Sequence, residues 1–286
     1  MKVLVTGGLG FIGSHIVKAI EKSGHEVLIV DKRRVTEVTP NDINHIAHRH
    51  ISDVDCIVHA AAHADIHNNW GENTSDRGTI FHNNILGTFN LLEQSPTVPF
   101  IFLSTCAVYG SDVLWADETY QLRPESPYAA SKVAGEAMVE AWAYKRKNPH
   151  YILRLVSNVG EGCAHGHVPD FVHMAQKLGY ITAKDSGYFA KSYIHVEDTT
   201  DFVLSCVDGW TDPGTYNVSS LETWSWRDTA ELMGVGTNSP DNRAGSVGDP
   251  VGLTVSIRRA VDQGWQPERK LKQGVLEALE WNGWKL

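Results

Sequence analysis

The chain has 286 residues, with 34 acidic against 25 basic side chains and a formal net charge of −9. That length suits one large α/β domain or two closely joined lobes, and the acidic balance speaks against nucleic acid as a partner. No run of about 18 apolar residues is present, so no membrane span is expected.

The chain enters a strand at once, over 3–6, with no signal-peptide pattern before it. A glycine turn follows, then a helix over about 11–23 with Gly24 where a C-cap belongs. Residues 26–30 read as a second strand ending at Asp31, 56–62 as a third and 99–104 as a fourth. A helix is predicted over 79–94, a long one over 128–147, and a further strand over 151–156. Strands alternating with helices predict a Rossmann-type, doubly wound parallel sheet over residues 1–156. From 157 to 286 the pattern loosens into a smaller C-terminal lobe, with a return towards the sheet near 183–215. There, strands are expected over 183–196 and 214–218 around a helix over 197–207, then helices over 227–233 and 271–284. Residues 236–250 read as loop. Four widely spaced cysteines without a Cys-x-x-Cys pair suit a reduced, cytoplasmic protein. The histidines, including His45, His48 and His50, offer no closed ligand set, so no metal site is expected.

Two motifs carry chemistry. Gly7, Gly10 and Gly13 fall at a strand-turn-helix junction, where glycines admit a pyrophosphate to the backbone amides and a helix N-terminus favours its charge. Asp31, at the end of the next strand, suits the two ribose hydroxyls of NAD, whereas the basic run Lys32, Arg33, Arg34 suits a 2′-phosphate. NAD is favoured and NADP stays open. Far downstream, Tyr128 and Lys132 lie four apart in a predicted helix and share a face. An ammonium there can favour the phenolate, bringing a group of ordinary pKa about 10 towards working pH. Beside a nicotinamide such a phenolate can take the proton of a hydroxyl.

Together these residues resemble the extended short-chain dehydrogenase/reductase family, in its nucleotide-sugar epimerase/dehydratase branch. The resemblance runs along most of the chain: Thr6 to Gly13, His59-Ala60-Ala61-Ala62, Asn84 to Glu93, Ser104 to Gly110, Tyr128 to Lys132, Tyr193 to Asp198, and Tyr216-Asn217-Val218. It implies that Thr105 hydrogen-bonds the reacting sugar oxygen, that Tyr128 is the acid/base, and that Lys132 holds the nicotinamide ribose and tunes Tyr128. It also implies that Phe11, Ile12, Lys32, Asn84 and the alanines at 60–62 line the cofactor site. Lys191 and Arg243 match basic positions that grip a diphosphate, and Ser157 or Asn158 stands where relatives face the substrate. A homodimer through the helices near 79–94 and 128–147 is implied as well, with Trp142 able to serve that face or the interior.

Relatives that remove water across C5 and C6 of the sugar carry Asp-Glu directly after the catalytic Thr. Here those positions are Cys106 and Ala107, which disfavours dehydration and points to C4 epimerisation with bound NAD. A rival reading follows from Ser104-Thr105-Cys106, which resembles the Ser-Ser-Cys of GDP-fucose synthases. Cys106 and His167 would then be the acid/base pair of an NADPH-dependent epimerase-reductase. A non-catalytic dinucleotide sensor ranks last, because Thr105, Tyr128 and Lys132 are all present.

Overall fold

The computed structural model describes residues 1–33, 42–64, 77–182, 190–238 and 252–285. Strand β1 (Lys2–Thr6) leads through the glycine turn into helix α1 (Phe11–Lys22) and back to β2 (Glu26–Val30). A single turn, α2 (His48–Ile51), precedes β3 (Cys56–His59). Helices α3 (Arg77–Ile80) and α4 (Gly87–Gln94) are joined without a break by a π-helical segment, Phe81–Leu86. Strand β4 (Phe100–Thr105), the long helix α5 (Pro127–Arg146) and β5 (His150–Leu155) complete the first half.

The second half comprises β6 (Ser157–Val159), α6 (His167–Leu178), β7 (Tyr180–Thr182), β8 (Ala190–His195), α7 (Val196–Val207) and β9 (Gly214–Val218). It continues with β10 (Thr223–Ser225), α8 (Trp226–Met233), β11 (Gly236–Asn238), α9 (Arg258–Asp262) and α10 (Leu271–Trp281).

Six parallel strands form the central sheet in the order β2-β1-β3-β4-β5-β9. The apolar runs are continuous because both faces are covered. On one side, Val3 and Val5 join Ile16, Val17 and Ile20 of α1 and Phe202 and Val203 of α7. On the other, Leu4 and Ile57 join Leu91 of α4 and Val139 and Trp142 of α5. Trp142 therefore packs inward, against Phe100. The strand order reverses between β2-β1 and β3, which opens a crevice at the carboxyl ends of β1 and β3, the usual ligand position in open α/β sheets.

The chain returns to this sheet through α7 and β9. Strand β8, inside the predicted strand over 183–196, instead belongs to a separate three-stranded sheet, β10-β8-β6. That sheet shares a third core with α6, α8 and α10. Helix α6 was not expected. Gly166 and Pro169 read as loop residues, yet a proline in the first helical turn sacrifices no intrahelical bond. Strands β6, β7, β10 and β11 have three residues each, too short for a period-two pattern to register.

Helix α5 starts as its sequence dictates: Ser126 Oγ accepts the Ala129 N–H at 3.1 Å, and Pro127 fills the first turn. Deeper along it, Glu136 is buried and paired with Arg154 of β5, whose Nη2 donates at 2.8 Å and Nε at 3.1 and 3.2 Å. The Ser104 hydroxyl donates to the same carboxylate. Arg154 continues through Nη1 to the Tyr109 hydroxyl and the Glu118 carbonyl, both at 3.0 Å. Arg154→Met should therefore cost about 3–5 kcal/mol of unfolding free energy, since it strands a buried carboxylate. Arg258→Ala, at an exposed pair with Asp262, should cost far less when both variants are titrated with denaturant.

Candidate active site

The glycine turn is built for close backbone approach. Gly7 has φ +70°, and a Cβ there would stand 2.7 Å from the Ala61 backbone at the end of β3. A Cβ on Gly13 would collide with the Gly7 carbonyl oxygen. Gly10 caps α1, with Phe11 and Ile12 half-buried in its first turn, where amides lack intrahelical acceptors. This cradle fits a pyrophosphate at a helix N-terminus. Asp31 is buried at the end of β2, and its carboxylate accepts the Leu9 N–H at 3.0 Å and the Arg33 N–H at 2.9 Å. Burial alone would raise its pKa, but the Arg33 side chain and these amides outweigh it and hold the group below its ordinary value. Lys32 is exposed.

A buried polar relay fixes the floor. His59 accepts or donates at Thr6 Oγ1 (2.7 Å) and Thr88 Oγ1 (2.9 Å), and Thr88 donates to the Asn84 carbonyl at 2.7 Å. Burial, with the Lys132 charge adding, pushes the His59 pKa down to about 3, so the imidazole is neutral. Thr6 Oγ1 also accepts the Ala61 N–H at 3.2 Å. Asn84 lies in the π-helical segment, where its amide clamps the backbone of His63 from both sides (2.7 and 3.0 Å) and donates to Ser131 Oγ at 2.9 Å. The alanines at 60–62 are thus held between β1 and the 77–94 helix. A π-turn at such a position commonly marks a functional site.

Thr105 ends β4 and accepts the Ala107 N–H at 3.2 Å, capping a short 3₁₀ turn, Cys106–Tyr109. Its hydroxyl lies near enough to the Tyr128 phenol to favour the ionised form, which brings the two together across β4 and α5. Lys132, one turn on, is buried, and its ammonium donates to the Leu103 carbonyl at 2.7 Å, 4.8 Å from the Phe102 ring centroid. Burial pushes the phenol up to about 12 against the lesser effect of Thr105, and one of the three ammonium donors of Lys132 goes to β4. Burial likewise brings Lys132 down to about 8, with the Glu136 charge opposing.

The rival acid/base pair is not brought together. Cys106 Sγ donates to the Arg154 carbonyl at 3.0 Å inside the core, and burial drives its pKa far up. His167 opens α6, tied to Thr229 Oγ1 at 3.0 Å and the Tyr193 hydroxyl at 3.1 Å, and burial pushes it down to about 3, the Lys191 charge adding. Both groups are buried. Lys191, on β8, is buried rather than solvated, its ammonium 5.4 and 6.0 Å from the Tyr193 and Trp226 ring centroids. Asn158 spends its amide on Val156 O (2.9 Å) and Thr199 Oγ1 (2.7 Å), which leaves Ser157 as the exposed member of that pair. Arg243 lies outside the described residues. All four cysteines are free and buried. Among the described residues no cluster of three or more histidine, cysteine or acidic side chains is placed to hold a metal. No described helix is long and apolar enough to cross a membrane.

Sequence reading missed Ser131, Glu136 and Arg154. Glu136 had a signal: it follows Tyr128 and Lys132 at the same interval of four, on one face of α5. Arg154 had none, since an arginine in a buried strand is placed only by its partner.

Comparison with known proteins agrees with this geometry. A relative from Methanocaldococcus jannaschii, described as a putative UDP-glucose 4-epimerase, is 28% identical over 98% of this chain and 97% of its own. A dTDP-glucose 4,6-dehydratase of Neisseria meningitidis is 28% identical over 76% of this chain and 70% of its own. The Thermus thermophilus UDP-glucose 4-epimerase, solved with NAD, superposes with a TM-score of 0.80 at 26% identity, covering 99% of both chains. In fold, the chain also matches the Bacillus cereus UDP-glucuronic acid 4-epimerase solved with that substrate and NAD (TM-score 0.86, 23% identity, 99% of both chains). The model of the NAD dependent epimerase/dehydratase family matches residues 3–219, and the chain belongs to that family.

Proposed function

We propose that the protein is a UDP-sugar 4-epimerase that works through transient oxidation at C4. The observation that carries this reading is the pairing of Thr105 with Tyr128 beside the buried Lys132, with no carboxylate following Thr105. When bound at the glycine cradle, NAD supplies an acceptor and then a donor of hydride at one sugar carbon. Thr105 holds the C4 oxygen, Tyr128 takes its proton and later returns it, and Lys132 holds the nicotinamide ribose. Since the phenol here is held at about 12, proton removal needs added positive charge near Tyr128. Cys106 and Ala107 are buried and supply neither acid nor base for dehydration. Ser157, Lys191 and Arg243 would face the sugar and diphosphate, for which an acidic protein needs a local cationic grip.

The same reading includes a homodimer through the 77–94 helix and α5. Phe81, Leu86, Phe89 and Tyr144 on these helices are exposed. A second copy would cover them.

Three tests follow. With UDP-glucose, UDP-galactose and the corresponding uronic acids as substrates, NMR should show interconversion of one C4 pair; no turnover of any pair would sink the proposal. Tyr128→Phe should lower kcat by about 10²–10⁴-fold while the purified protein keeps its dinucleotide. The Lys132 ammonium is present below about pH 8 and lost above it, so kcat/KM should fall on the alkaline side. Glu136→Gln removes the charge that raises Lys132 and should move that fall to lower pH. An unmoved limb would show that Lys132 does not control it. Finally, Phe81→Glu combined with Phe89→Glu should convert a dimer to a monomer in sedimentation velocity.

A further inference from the structure

Helix α1 opens the glycine cradle and also reaches the second lobe. Phe11 and His15 lie one turn apart on it, their ring centroids 5.9 Å apart and their planes at 87°. His15 Nε2 donates to the Glu161 carbonyl at 2.8 Å. Phe11 packs against the third core, and a Cβ on Gly162 would stand 3.4 Å from its ring. Glu161 lies just past β6, the strand that carries Ser157, between Gly160 at φ +143° and Gly162 at φ +86°. Those two glycines allow the sharp turn that presents the carbonyl to α1. Behind the turn, the Cys163 N–H donates to the Gly160 carbonyl at 3.2 Å, and the Cys163 carbonyl accepts Asn282 Nδ2 at 2.8 Å. The loop is therefore fixed to the end of α10 and belongs to the second lobe. Its contact with α1 crosses from one half of the molecule to the other, beside the amides that fit a pyrophosphate.

We propose that His15 and Phe11 clasp the second lobe to the cofactor half, and that the parting of this clasp sets the rate at which a dinucleotide enters and leaves the cradle. This inference rests on the dinucleotide reading above. Phe11 is the first residue of α1, so a pyrophosphate at the cradle lies next to the side chain that meets Gly162. His15 supports that side chain with its ring and pins the loop with its Nε2. It is a positioning residue, acting on the loop rather than on the ligand. The clasp is made without any ligand in place, so its loss speeds entry and exit alike and leaves affinity nearly unchanged. Damage to the cradle itself has a different signature, faster exit with entry unaltered and weaker affinity.

Stopped-flow energy transfer from tryptophan to NADH, on cofactor-stripped protein, reads entry without any sugar substrate, and a chase with excess NAD reads exit. His15→Ala should raise both rate constants about tenfold, as expected for the loss of one hydrogen bond and an edge-on ring contact, with Kd changed by less than about threefold. His15→Gln keeps an N–H that can reach the Glu161 carbonyl and should bring both rates back towards the wild type. His15 is only half-buried on the surface of α1, so neither variant empties a core. Unchanged rates in His15→Ala, or faster exit with unaltered entry, overturn the inference and leave the functional reading standing. A wild type that binds no NADH overturns both.

Discussion

Helix α5 buries an ammonium and a carboxylate one turn apart against its own sheet, and the active site rests on that arrangement. Lys132 and Glu136 are each only 4% exposed. Neither charge is tolerable in such a place alone. Glu136 is held by Arg154 and Ser104, and Lys132 by the Leu103 carbonyl, so the helix is bonded to β4 and β5 at consecutive turns. Tyr128 sits one turn before this pair and is thereby held against Thr105 at the end of β4. The network runs on through Tyr109 to Asn217, whose side chain accepts at 2.7 Å and donates to the Ala116 and Ser256 carbonyls. The turn after Thr105 is thus fixed from below as well.

A second constraint is the near-contact between the ends of β1 and β3. Gly7 and Ala61 approach so closely that no side chain fits between them, and this happens where the strand order reverses. The neutral relay of Thr6, His59, Thr88 and Asn84 holds the same place from underneath. It reaches α5 through Ser131, so the cofactor cradle and the catalytic helix share one set of hydrogen bonds. The glycine turn and the candidate catalytic side chains of α5 thus rest on the same buried scaffold.

The small sheet and the helices α6, α8 and α10 form a lobe of different character. Its aromatic cluster surrounds Lys191 with Tyr193 and Trp226, and His167 packs on Trp226 at 6.5 Å between ring centroids. A thiol and an imidazole that look reactive in the sequence, Cys106 and His167, are each hydrogen-bonded inside a core, the first to the Arg154 carbonyl and the second to Thr229 and Tyr193.

The sequence by itself determined the alternation of strands and helices, the glycine cradle, Asp31, and the Thr105, Tyr128 and Lys132 positions. Those signals are local, a period, a turn residue or a spacing of four along one helix, except for Thr105, which only the family resemblance of Ser104 to Gly110 supplied. Only the tertiary structure decided that Arg33 covers Asp31, that Lys132 donates to the Leu103 carbonyl, that Glu136 pairs with Arg154, and that Cys106 faces inward. Those are contacts between side chains or segments whose geometry no local pattern encodes, and burial, which sets their charge and reach, exists only once the sheet and its helices have closed over them.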